Sequence, residues 1–87
     1  MRFTIGTRQF ELQWFSDVST RNGAGWELWE CTGEKTLLIE IFRHDDLKKI
    51  DFATFEAVDI PLAAVDALLK TFNEEGSRSF VDESLWS

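Results

Sequence analysis

The sequence predicts an α+β fold: an antiparallel meander of four to five strands followed by one C-terminal helix packed on one face. Three observations carry this. Apolar residues recur with a period of two as far as about residue 58. Short Gly-containing turn signals interrupt that run. The period then changes to helical after a single proline, Pro61.

The N-terminal element reads as a hairpin. Gly6-Thr7 suits a two-residue type II′ turn, since Gly supplies the positive φ of the first turn position. This turn pairs Ile5 with Arg8, Phe3 with Phe10 and Arg2 with Glu11. An aromatic pair and an opposite-charge pair then lie directly across from each other, which favours the register. Phe10, Leu12 and Trp14 continue the alternation. Residues 20–25 (Thr-Arg-Asn-Gly-Ala-Gly) form a turn cluster with an Asn-Gly hairpin signal, and a strand follows at about Trp26–Cys31. Gly33-Glu34 is a second Gly-X turn. The next strand, Lys35–Arg43, is the most apolar and is placed centrally. A charged loop, residues 44–49, leads to a last strand at Ile50–Val58.

The helix starts near Asp59 and Pro61 and carries Leu62, Val65, Leu68, Leu69 and Phe72 at helical spacing. Gly76 fits the residue just past its end. Residues 1–76 therefore read as one domain and 77–87 as a tail that packs on the sheet or on a partner. Its apolar residues, Phe80 to Trp86, do not follow the anchor spacing of a helix that docks in a groove.

A chain of 87 residues has room for one core, which buries roughly 60–65% of the unfolded chain's surface. The aromatic content is high for this length: 8 Phe, 4 Trp and no Tyr. If Gly33-Glu34 makes a two-residue loop, Trp29 pairs with Leu38 and Leu28 with Ile39. One face then holds Trp26, Leu28, Leu37, Ile39 and Ile41. The other holds Trp29, Cys31, Leu38 and Phe42. One helix cannot cover both, so the second face needs another cover: the tail, a second copy or a different partner. A bulge would flip this assignment without removing the surplus.

The net charge is −7, unevenly spread. Residues 1–43 carry 5 basic and 6 acidic groups; residues 44–60 and 61–87 each carry 2 and 5. An acidic chain is repelled by nucleic-acid phosphates and anionic membranes. No apolar run approaches the ~20 residues of a membrane span, and the N-terminus has no hydrophobic signal region. A cytoplasmic location is the expectation.

Candidate chemistry is sparse. Cys31 is the one cysteine, which rules out an intramolecular disulfide and a cysteine-based zinc site. It is expected in the core as a small hydrophobe. One His and one Cys do not make a nucleophilic triad in an acidic chain. His44-Asp45-Asp46 has the residue types of a metal site, but strand neighbours point opposite ways. No metal or other cofactor is expected. Glu27 and Glu40 fall directly across from each other in the β-register, and paired carboxylates can do acid–base work.

Three functions follow from this, in order of preference. The first is a non-catalytic protein-interaction domain that forms a homodimer through an aromatic-rich sheet face, with Trp29, Leu38, Phe42, Phe55 and Trp86 at the contact. The second is single-stranded nucleic-acid binding by base stacking on the same face. The strand and helix order resembles that of some single-strand-binding coactivator and Whirly-type domains, a likeness of fold alone. The third is a carboxylate-based enzyme using Glu27 and Glu40.

Overall fold

Five antiparallel strands form one sheet in sequence order, and one helix crosses a face of it. The computed structural model describes residues 1–76 and 78–81. The strands are β1 (Arg2–Ile5), β2 (Arg8–Asp17), β3 (Gly23–Glu30), β4 (Thr36–His44) and β5 (Lys49–Thr54). The helix α1 is Leu62–Thr71, followed by a wider π-helical turn at Phe72–Gly76. The α+β meander with a C-terminal helix is thus as expected, with five strands.

The first hairpin has the expected register: Arg2 opposite Glu11, Phe3 opposite Phe10 and Ile5 opposite Arg8. Gly6 sits at φ +61, the positive value that the turn demands. The Phe3 and Phe10 rings stack with centroids 5.6 Å apart.

Two boundaries differ from expectation. Asn22-Gly23 does not make a two-residue turn. Residues 18–22 form a longer loop, and β3 already begins at Gly23, opposite His44. The loop is closed by Asp17, which accepts hydrogen bonds from Ser19 N–H (3.0 Å) and from the Ser19 and Thr20 hydroxyls (3.0 Å each). Side-chain turns of this kind compete well with the Asn-Gly signal. β5 ends at Thr54 rather than Val58.

The largest correction concerns β3 and β4. Leu28 lies opposite Ile39 and Glu27 opposite Glu40, as expected, but Trp29 lies opposite Leu37 and not Leu38. A bulge places the extra residue, Leu38, between them. Leu38 joins the core beside Ile39, while Leu37 shares the Trp29 face. β4 thereby sends two consecutive large residues to the core.

The core lies between the sheet and α1. Phe10, Leu12, Leu28, Leu38, Ile39 and Ile41 from the sheet pack against Ala64, Leu68 and Phe72. Ala64, Leu68 and Phe72 are spaced i, i+4, i+8, one side of a helix. Pro61 holds the N-cap position, and its carbonyl accepts from Ala64 N–H (2.9 Å) and Val65 N–H (3.3 Å). Arg8 fixes the approach to the helix. It forms a fork on Glu30 (2.9 and 2.7 Å) and donates to the Asp59 carbonyl (2.7 Å).

A buried ion pair closes the other end. Asp45 is 0% exposed and accepts from Arg43 Nε (2.8 Å) and Nη2 (3.2 Å). It also accepts from Val81 N–H (2.9 Å), and its own N–H donates to the Asn22 carbonyl (2.7 Å). One carboxylate residue thus joins the β4–β5 turn, the β2–β3 loop and the chain beyond the helix. Asp45→Ala breaks this buried ion pair and should cost about 3–5 kcal/mol in denaturant melts. Leu28→Ala, which opens a cavity in the core, should cost about 2–5 kcal/mol in the same assay.

Candidate functional site

The sheet face away from α1 carries most of the candidate residues. Cross-strand register sorts them into rows. Gln13, Glu27, Glu40 and Ala53 make one row, and Phe15, Gly25, Phe42 and Asp51 the next. Gly25 separates two phenylalanines. A Cβ there would run into the Ile41 carbonyl and crowd the Phe15 ring. Over this gap the Phe15 and Phe42 rings stack at 5.5 Å, and His44 meets Phe42 edge-on at 4.6 Å.

Arg21, from the β2–β3 loop, lies on top. Its guanidinium carbon is 3.9 Å from the Phe42 ring centre and 5.5 Å from that of Phe15. It also bonds to Glu40 Oε1 and lies 3.5 Å from Asp17 Oδ2. Glu27 accepts from the Trp29 indole (3.1 Å), and Lys35 covers the Trp29 ring at 4.8 Å. Glu11 is shared by Lys35 (2.9 Å) and Arg2 (3.2 Å). Asp51 takes His44 Nε2 (3.0 Å) and Lys49 (3.3 Å).

Electrostatics follow from these partners. Lys35 and then Arg2 hold the Glu11 carboxyl below its ordinary value. Asp17 lies well below the usual carboxylate range, first because of the Ser19 backbone N–H and then because of the Thr20 and Ser19 hydroxyls. Lys49, followed by His44, lowers Asp51. At the far end of the sheet, Arg8 lowers Glu30.

The charged groups of this face are partnered within it. Glu27 and Glu40 do face each other, and each has its own partner: the Trp29 indole donates to Glu27 and the Arg21 guanidinium to Glu40. The rings that base stacking needs lie under Arg21, and a phosphate would meet Glu11, Asp17, Glu27, Glu40 and Asp51. His44, Asp45 and Asp46 diverge: His44 turns to Asp51, Asp45 is buried with Arg43, and Asp46 is exposed. Among the described residues no group of three His, Cys, Asp or Glu side chains is placed to hold a metal. Cys31 lies just beyond β3 and is half-buried rather than in the core.

The five expected contact residues are scattered. Leu38 and Phe42 are each 1% exposed, one in the core and one under Arg21, so neither offers surface. Trp29 is half-buried under Lys35. Phe55 is exposed just past β5. Trp86 lies outside the described residues, as does most of the expected tail.

Exposed apolar surface gathers elsewhere. Leu47, Phe52, Phe55, Val58 and Leu62 are all exposed, along β5 and the approach to the helix. On the helix-bearing face, Phe52, Ile50 and Leu69 line one depression of about 180 Å³ with Phe72. Leu62 lies two turns before Leu69 on the same side of α1. Sequence reasoning placed Phe52 within the last strand but not at the contact. A second, larger groove of about 600 Å³ runs between β1 and the end of α1, walled by Phe3, Trp26, Ala67 and Thr71.

No family model, curated protein or solved structure matches this chain. No helix among the described residues is long and apolar enough to cross a membrane.

Two outcomes test this account of the open face. Arg21→Ala leaves the buried Glu40 without this partner and should cost about 1–3 kcal/mol, while Arg21→Met combined with Glu40→Leu should recover most of it. The carboxyls held low stabilise the fold when ionised. That stability is complete well above the ordinary carboxyl value of about 4 and is lost as pH falls through the lowered folded values. Thermal melts should therefore be flat near neutral pH and fall steeply in acid, with a shallower fall in Asp17→Asn.

Proposed function

We propose that this chain is a non-catalytic interaction module that self-associates as a homodimer, using the β5 side of the molecule. The observation that carries the reading is the apolar strip there. Leu62 is 74% exposed, Phe52 52%, Val58 50% and Phe55 49%. Single exposed apolar residues are ordinary on a protein surface, but several of them along and just past an edge strand mark a contact. Aromatic side chains are enriched at interface cores, and Phe52 and Phe55 supply them. A two-fold contact is self-complementary, and an apolar strip meets that need without requiring matched charges. The closed open face supports the same choice by elimination. Its charges are mutually satisfied and its rings are covered, so it offers neither an acid–base pair nor a stacking platform.

Light scattering after size exclusion, run over a range of concentrations, tests the reading. A mass of twice the 10.1 kDa chain is expected. Leu62→Glu should shift it toward monomer while changing the stability of the single chain by no more than about 0.5 kcal/mol, since the side chain is largely exposed. A monomer throughout would overturn the proposal.

A further inference from the structure

β5 is the last strand of the sheet, and the described residues place no strand beyond it. Its hydrogen bonds divide by parity. Phe55 N–H bonds inward to the Leu38 carbonyl at 3.1 Å. In an antiparallel ladder the inward bonds then fall on Ala53, Asp51 and Lys49, opposite Glu40, Phe42 and His44. Ile50, Phe52 and Thr54 point their N–H and C=O groups the other way, to the open edge. The same three residues carry their side chains on the helix-bearing face, since they lie opposite Arg43, Ile41 and Ile39.

We infer that two copies join through β5, antiparallel, in the register centred on Phe52; the inference rests on the self-association proposed above. This register sets Phe52 against Phe52 of the second copy and Ile50 against Thr54. Each of the three outward residues then both donates to and accepts from the one opposite. Lys49 falls beside Phe55, and Asp51 beside Ala53, so no like charges face each other across the strand pair. The neighbouring registers fail for stated reasons. Centring on Asp51 sets two carboxylates face to face, which is unfavourable. Centring on Ile50 requires Lys48 in the ladder, yet Lys48 has φ +55 and is not extended. Centring on Ala53 or Thr54 requires Glu56 in the bonded ladder, beyond the end of β5 at Thr54.

The register also explains the apolar strip. A two-fold axis through the Phe52 pair, normal to the sheet, keeps both helices on the same face. The depression lined by Phe52 and Leu69 then meets its copy above the joined strands, with Leu62 at the flank. The edge and the strip become one contact: backbone bonds set the alignment and side chains close over it. The other edge, β1, has only four residues and carries charged Arg2, the kind of edge that resists pairing.

Amide hydrogen exchange followed by NMR reads the register without a mutation. Samples above and below the dissociation range, set by light scattering, are compared. In the dimer the amides of Ile50, Phe52 and Thr54 should slow by roughly tenfold or more, while those of Lys49, Asp51 and Ala53 are already protected in the single chain. Thr54→Pro supplies the second measurement. It removes an outward N–H only, so the monomer should keep its circular dichroism and melting temperature while dimer affinity falls by about tenfold or more. A dimer whose three amides exchange freely, or a Thr54→Pro variant that dimerises like the parent, would overturn the register and leave self-association standing. A chain that stays monomeric would overturn both.

Discussion

One helix of ten residues can cover one face of a five-stranded sheet and no more. Everything else in this molecule answers that limit. The face under α1 becomes the core. The other face must satisfy its aromatic residues without a second layer, and it does so with its own charged side chains. Arg21 lies on Phe42 and Phe15, and Lys35 on Trp29. Long cationic side chains can do this because their stems are apolar and their heads remain wet. The carboxylates then serve as counter-ions to the covering cations.

The limit also shapes the edges. A helix lying over β3 leaves the outer strands partly bare. On one side the bare ground is the groove beside β1, and on the other the apolar strip along β5. The bulge at Leu38 adds to the asymmetry, because β4 sends both Leu38 and Ile39 inward to the core. Fully packed in the middle and bare along β5, the sheet has its surplus apolar surface at the rim rather than on the open face.

Much of this was legible in the sequence where the controlling interactions are local. The Gly6 turn and its cross-strand pairs specify the first hairpin, and the Pro61 signal with the helical spacing of Leu62, Val65, Leu68, Leu69 and Phe72 specifies the helix. The facing of Glu27 and Glu40 followed from strand pairing alone. What escaped depends on contacts distant in sequence. The Leu38 bulge is an adjustment to packing under the helix, and no turn residue announces it. Arg21 sits in a loop whose reach to Glu40 and Phe42 cannot be read from spacing. Leu38 and Phe42 therefore look like surplus surface in one dimension and are covered in three. Phe55, past the last paired residue, is exposed as the sequence reading placed it.

The Asp45 node has a consequence for time rather than energy. Its partners lie at Asn22, Arg43 and Val81, so two of its contacts join segments more than twenty residues apart. The Asn22 contact continues the β3–β4 ladder, whereas the Val81 contact lies outside the meander and is expected to form after it. A bond absent from the folding barrier does not hasten the climb; it slows the return. The carboxylate at the end of β4 thus works as a latch, setting how long the finished molecule stays shut more than how quickly it forms.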